Sequence, residues 1–310
     1  MSATYPEFHF FLILDLVTIV SLMELFEVRY FLAVARAENI HRASERLNVS
    51  PGSLSKAISR IENELGVKLF SREGRGIKLT EAGRLLRSRA SDLVTLEESI
   101  RAEVSGGPGT LNAVLAGPEI LLAHQGGEVM AAIRKRNPLS SFELQACDDR
   151  RALDRVETGE VHLAIVTSDV PSSLHSKLLG ETKFLTVVGQ GHPLYGAAKA
   201  GKTVPVEKVL EHEFVSPTHP IFGRVGQKQS LDGWRDDEFP RRIGYLSTSL
   251  SLVTRLVSEG KAIAYLPDYL VAEMPRALPL KISGCPYSCA QKIQLVARRP
   301  KDTAWIQALF

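Results

Sequence analysis

The sequence predicts an α/β protein in two parts: a small, mainly helical N-terminal domain and a larger C-terminal portion of alternating strands and helices, joined by one long helix. Three observations carry this. Residues 23–65 read in helical period, interrupted around 48–50. Residues 82–104 hold one continuous apolar stripe. From 110 onward, short β-rich runs alternate with helical ones. At 310 residues the chain is long enough for more than one core. Its 44% hydrophobic and 24% charged content excludes disordered, collagen-like and coiled-coil-only proteins. Three cysteines make no disulfide scaffold and suit a reducing compartment. The net charge of +3 excludes a chain that is basic throughout, but the charge is uneven. Residues 41–80 hold eight Lys and Arg against four Asp and Glu.

The first segment stands apart. Residues 8–22, FHFFLILDLVTIVSL, are too short for a spanning helix, and Asp15 is costly in a bilayer. No basic residue precedes the run and no small-x-small site follows it, so it is not a signal peptide. A patterned amphipathic segment begins at Met23. The expectation is that translation starts there and that residues 1–22 are an extension.

Residues 23–80 form the first domain. Phe26, Tyr30, Leu32, Ala33, Val34 and Ala37 supply the apolar face of a first helix, ending at Asn39. A second helix carries Ala43 and Leu47 and stops at Asn48, a residue that tolerates left-handed geometry. Ser50 caps a third, with Pro51 at its first position. Two short helices joined by a tight turn are a helix-turn-helix. The outward face of the third presents Ser53, Ser55, Lys56 and Arg60, hydroxyl and basic groups suited to base edges and phosphates. His41 and Arg42 on the second helix are placed to meet the DNA backbone. VKLFSREGRGIKLT then reads as a hairpin wing with Arg72, Arg75 and Lys78.

The run from Phe31 to Gly83 resembles the DNA-binding domain of LysR-type transcriptional regulators. The resemblance rests on Phe31-Leu32-Ala33-Val34, Ala43, Leu47, Leu54-Ser55, Ile61-Glu62-x-Glu64-Leu65-Gly66-x-x-Leu69-Phe70-x-Arg72, and Leu79-Thr80-x-Ala82-Gly83. One departure stands out. Where the family shows Ser-Gln-Pro-Ala, this chain has Ser50-Pro51-Gly52-Ser53, so base reading shifts to Ser53, Ser55 and Lys56.

Thr80 is an N-cap with Glu81 in the first turn of a helix of about 24 residues, roughly 36 Å long. Its stripe of Ala82, Leu86, Ala90, Leu93, Leu96, Ile100 and Val104 is narrow, which favours a partner helix. The resemblance implies that this linker, residues 81–106 with its Gly-Pro hinge, dimerises the protein through Leu86, Leu93, Leu96 and Ile100. Two-fold symmetry then predicts a pseudo-palindromic operator in double-stranded DNA. A tetramer and contact with RNA polymerase are further expectations.

Residues 107–310 argue α/β with mostly parallel sheets. They resemble the effector-binding part of the same family, a two-lobed fold like periplasmic solute-binding proteins. The resemblance rests on Gly159-Glu160-Val161-His162-Leu163-Ala164-Ile165, His192-Pro193-Leu194, and Leu256-Val257-x-x-Gly260-x-x-Ile263-Ala264-x-Leu266-Pro267. His162 replaces the usual Asp, and Lys261-Ala262 replaces a Leu-Gly pair. Lobe one is expected at 110–183 and 291–310, lobe two at 184–290. In such a fold a ligand sits between lobes, at strand ends and helix N-termini. The candidates are Gly117, Pro118, Glu119, Thr167, Ser168, Ser216, Thr218, Ser247, Thr248 and Ser249. Their hydroxyls suit a carboxylate or another small polar metabolite; Glu119 in the cleft favours an amine or hydroxyl.

The expectation is therefore a cytoplasmic, ligand-responsive DNA-binding regulator with no catalytic residues, no metal and no membrane contact. One alternative is a redox-responsive regulator using Cys285 and Cys289. The other is a solute-binding transport protein, in which a basic first domain has no place. No nucleotide fingerprint, P-loop or metal-binding His pair argues for an enzyme.

Overall fold

A computed structural model describes residues 23–73, 76–104, 111–223, 230–285, 288–299 and 304–310. The expected extension, residues 1–22, lies outside them. The chain forms two compact units, residues up to Glu97 and those from Glu98.

In the first unit, α1 (Leu25–Ala37) begins with a capping box between Glu24 and Glu27 and ends on Glu38 in the left-handed region. Its buried face is Val28, Phe31, Val34 and Ala35, whereas Phe26 is 51% exposed. The expected face is therefore misphased at Phe26; a helix that buries Val28 and Phe31 turns Phe26 to solvent. The helix also ends earlier than expected, because Asn39 serves instead as N-cap of α2 (Ile40–Leu47), its side chain accepting the Arg42 N–H. Asn48 closes α2 in left-handed geometry. Ser50 Oγ accepts the Ser53 N–H at 3.0 Å, with Pro51 opening α3 (Pro51–Leu65). Leu54, Ala57, Ile58 and Ile61 form the buried face of α3. Strands β1 (Phe70–Glu73) and β2 (Gly76–Leu79) pair antiparallel as the wing.

The helix α4 (Glu81–Val104) has the 24 residues expected. Thr80 Oγ1 caps it, accepting the Gly83 N–H at 3.0 Å and donating to the Lys68 carbonyl at 2.7 Å. A Cβ on Gly83 would lie 2.1 Å from the Leu69 carbonyl oxygen, so only glycine lets the helix approach the wing this closely.

The second unit is built on a seven-stranded sheet. Strands β3 (Asn112–Gly117), β4 (Ser141–Ala146) and β5 (Leu163–Val166) pair in parallel. Helices α5 (Glu119–Arg136) and α6 (Asp149–Glu157) follow β3 and β4. Strand β6 (His175–Gly189) pairs antiparallel with β13 (Ala290–Ala297) up to Lys183, and with β10 (Ala264–Pro267) from Phe184. The sheet is thus mixed, because the strands that cross between its two halves run against the parallel set.

The remaining elements fill the far half. Helix α7 (Tyr195–Lys199), strand β7 (Thr203–Pro205) and α8 (Val206–Leu210) come first. Then β8 (Glu213–Pro217) pairs in parallel with β9 (Arg242–Ser247), followed by α9 (Leu250–Ser258). After β10 come α10 (Asp268–Ala272), β11 (Ala277–Pro279) and β12 (Lys281–Ser283); α11 (Ala304–Gln307) closes the chain. Within this half Arg241 is fully buried, bonded to Asp232 at 2.7 and 3.1 Å and to Asp236 at 2.8 Å. Its guanidinium also lies over the rings of Phe214 and Trp234, and with both aspartates bonded to it the charge is paired rather than stranded.

His162 explains one departure from the family pattern. Its Nδ1 accepts the Val114 N–H at 3.0 Å, and its backbone N–H donates to the Val114 carbonyl at 3.0 Å. An imidazole acceptor here stitches the lead-in of β5 to β3.

Candidate nucleic-acid interface and effector cleft

Within the first unit, packing of α2 and α3 onto α1 fixes which side chains face outward. His41, Arg42, Ser50, Ser53, Ser55 and Lys56 are exposed, and Pro51 is half-buried at the helix start. The Ser50 and Ser53 hydroxyls share a hydrogen bond of 2.8 Å, which orients both at the tip of α3. Lys56 is exposed one turn further along. Arg60 is exposed too, but its guanidinium lies 3.4 Å from both Glu27 and Glu64. That commits Arg60 largely to holding α3 against α1. In the wing Arg72 is exposed, Lys78 pairs with Glu73, and Arg75 lies outside the described residues.

The wing is held at its base by Glu62. Its carboxylate accepts the N–H groups of Leu69 at 2.8 Å and Phe70 at 3.4 Å, and Lys68 Nζ at 2.6 Å. Burial alone raises its pKa, but the bonds from Lys68, Leu69 and Phe70 outweigh that and hold it below the ordinary carboxylate range.

The α4 stripe divides. Leu86 packs on the first unit's core with buried Ala90, whereas Leu93, Leu96 and Ile100 are 43, 46 and 51% exposed. Leu85, outside the expected stripe, is 62% exposed.

In the second unit a cavity of about 670 Å³ opens between the segments that follow β3 and β4 on one side and those that follow β8 and β9 on the other. Small-molecule sites have volumes of about 300–1,000 Å³. Of the expected residues, Pro118, Glu119, Thr248 and Ser249 line it. The others stand behind it. Gly117 is buried at φ 156°, and a Cβ there would meet the Ile165 carbonyl at 2.3 Å. Thr167 donates its N–H and hydroxyl to Asp149 Oδ2, at 3.2 and 3.0 Å. Ser168 and Ser216 are buried. Thr218 donates to the Ser247 carbonyl at 3.0 Å, and the Ser247 hydroxyl bridges to the Ser249 backbone at 3.0 and 3.1 Å. The hydroxyls of Thr167, Thr218 and Ser247 thus brace the strand ends that shape the cavity, whereas the Ser168 hydroxyl is buried without a hydrogen-bond partner among the described residues.

Sequence reasoning missed Asp148, Cys147, His219, Ile221, Ser251, Thr254 and Leu270, which also line it. Asp148 carries a usable signal. It is the N-cap of α6 while Glu119 is the first residue of α5, and β3 and β4 lie side by side, so the starts of both helices open on the same cavity. Cys147 is half-buried, and burial pushes its thiol up, away from the reactive thiolate. Cys289 is buried and Cys285 partly so, and none of the three cysteines forms a disulfide. No cluster able to hold a metal, and no helix long and apolar enough to cross a membrane, occurs among the described residues.

Comparison with known proteins identifies both units. The bacterial regulatory helix-turn-helix protein, lysR family, matches residues 25–84, and the LysR substrate binding domain matches residues 112–310. The chain belongs to the LysR family. It is a LysR-type transcriptional regulator with a helix-turn-helix DNA-binding domain and an effector-binding domain. Among relatives, the dual regulator GltC of Bacillus subtilis is 28% identical over 269 residues, covering 84% of this chain and 86% of that protein. A full-length OxyR variant from Pseudomonas aeruginosa shares the LysR-type fold at TM-score 0.63 and 19% identity, covering 92% of this chain and 94% of that one. Full-length CbnR, solved in complex with its target DNA, has TM-score 0.55 and 21% identity, covering 92 and 96%.

Proposed function

We propose that this LysR-type regulator reads a pseudo-palindromic operator with the N-terminal half of α3 and is controlled by a small polar metabolite held in the cleft beside Glu119 and Ser249. The carrying observation is the exposed row Ser53, Ser55 and Lys56, on a helix whose opposite face is locked into the core. Hydroxyl and ammonium donors there suit base edges in a major groove. His41, Arg42 and Arg72, with Arg75 and Lys78, meet phosphates. The protein works as a dimer or tetramer through the exposed residues of α4, in the cytoplasm, beside RNA polymerase. It carries out no catalysis.

Gel-shift titration tests this. Affinity for an operator selected from random DNA falls steeply as salt rises. Arg72→Ala weakens binding to all sequences alike, whereas Lys56→Ala or Ser53→Ala changes which sequences are preferred, by about 1–3 kcal/mol at one position. Equal losses on every sequence for all three variants would remove α3 as the reading helix. The alternative redox reading through Cys285 and Cys289 is less favoured, because the two form no disulfide here and Cys289 is buried in the core.

A further inference from the structure

The lips of the cleft differ in charge. One is made by the loops after β3 and β4, neighbouring parallel strands whose ends are joined by the Cys147 N–H donating to the Gly117 carbonyl at 2.9 Å. It contributes Glu119 and Asp148 to the cavity wall. Both side chains are exposed to the cavity. Glu119 makes no ion pair or side-chain hydrogen bond among the described residues. Among the described residues the Asp148 carboxylate accepts only the Arg151 N–H, at 2.9 Å. No Lys or Arg lies among the described lining residues.

The other lip is the start of α9. It has no acidic residue in its first turn, and the side chain of its N-cap, Ser249, accepts no backbone N–H of that turn, being bonded instead to the Ser251 hydroxyl. Its first-turn N–H groups therefore face the cavity with the hydroxyls of Ser249 and Ser251, which lie 2.8 Å apart. The N-termini of α5 and α6 are already offset by acids of their own, Glu119 and Asp149. Of these three helices, only α9 keeps the uncompensated positive end that attracts an anion.

From this asymmetry we infer that the effector is zwitterionic, an amino-acid-like compound whose ammonium faces Glu119 and Asp148 and whose carboxylate meets the start of α9. This rests on the reading of the cleft as the effector site and adds the ligand's chemistry. A plain carboxylate gains α9 but leaves two acids unpaired beside it; a plain amine leaves the helix N-terminus empty. Ile221 and Leu250 lie on the wall and suit a compact, partly apolar side chain.

The test is calorimetric titration of the full-length protein with the protein amino acids, their N-acetyl and amide derivatives, and simple mono- and dicarboxylates. At least one free amino acid binds, and its N-acetyl and amide forms bind roughly ten- to hundred-fold more weakly. Glu119→Gln and Asp148→Asn each weaken it by a similar factor; asparagine still caps α6, so the fold is kept. Tightest binding by a carboxylate without an amine, unaffected or improved by Glu119→Gln, overturns the zwitterion while leaving the cleft as the site. No binding by any amino acid at millimolar concentration overturns it too. Thr248→Trp, which fills the cleft, separates the premises: a ligand that binds this variant undiminished lies elsewhere, and the cleft reading fails.

Discussion

Two buried ionisable side chains set how stability responds to acid. Glu62 bonds two backbone N–H groups that have no water to turn to, so Glu62→Ala costs about 1–3 kcal/mol in denaturant unfolding. Its folded pKa lies below the unfolded one. The stabilisation is complete above the ordinary carboxylate range and is lost as pH falls through the folded value. His192 acts in the same direction by another route. Burial, with His212 nearby, lowers its pKa from 6.5 to about 4, while its Nδ1 accepts the Leu194 N–H at 3.2 Å. Between those values the unfolded chain takes up a proton that the folded chain refuses, so stability declines as pH drops from 6.5 toward 4. Replacing His192 with Gln flattens that decline in pH-dependent thermal melts; an unchanged slope would assign it to other groups.

Among the elements, α4 has two separable tasks. Its first turns complete the winged domain, where Gly83→Ala drives a methyl into the Leu69 carbonyl and lowers the melting stability by roughly 1–3 kcal/mol. Its later turns carry Leu93, Leu96 and Ile100 to solvent. Leu96→Asp therefore leaves the helix folded but dissociates the protein, with monomers seen in sedimentation velocity and operator affinity lost. This division was not legible in the sequence. The stripe from Ala82 to Val104 is continuous, and only tertiary packing shows that Leu86 and Ala90 are used inside one chain. Other elements were legible because capping chemistry is local: Asn48, Ser50-Pro51 and Thr80 announce their helix ends. The first half of β6, HSKLLGETK, was missed since both faces carry polar residues and its partner is over a hundred residues away. The cleft was half legible. Strand-end loops pointed to Glu119 and Ser249, but whether Thr167 or Ser247 faces the ligand or braces a neighbour depends on hydrogen bonds that close only in the fold.

Across the whole molecule, the effector-binding unit has one continuous ladder, β6 paired with β13, passing from one half of the sheet to the other. Backbone amides of Gln294–Val296, held between β5 and β6, are expected to exchange more slowly than those of 175–182 in β6, which are largely exposed and paired on one side only. Hydrogen exchange followed by mass spectrometry checks this, and slower exchange in 175–182 would contradict it. The ladder also carries an irregularity, where the register slips between Ile293 and Gln294 as pairing moves from Gly180 to Leu178. Such a bulge adds local twist to a paired ribbon. The halves are therefore joined by a two-stranded ribbon already twisted at this point; if the cleft is the effector site, a compound gripping both lips would turn the halves about that ribbon as a torsion bar.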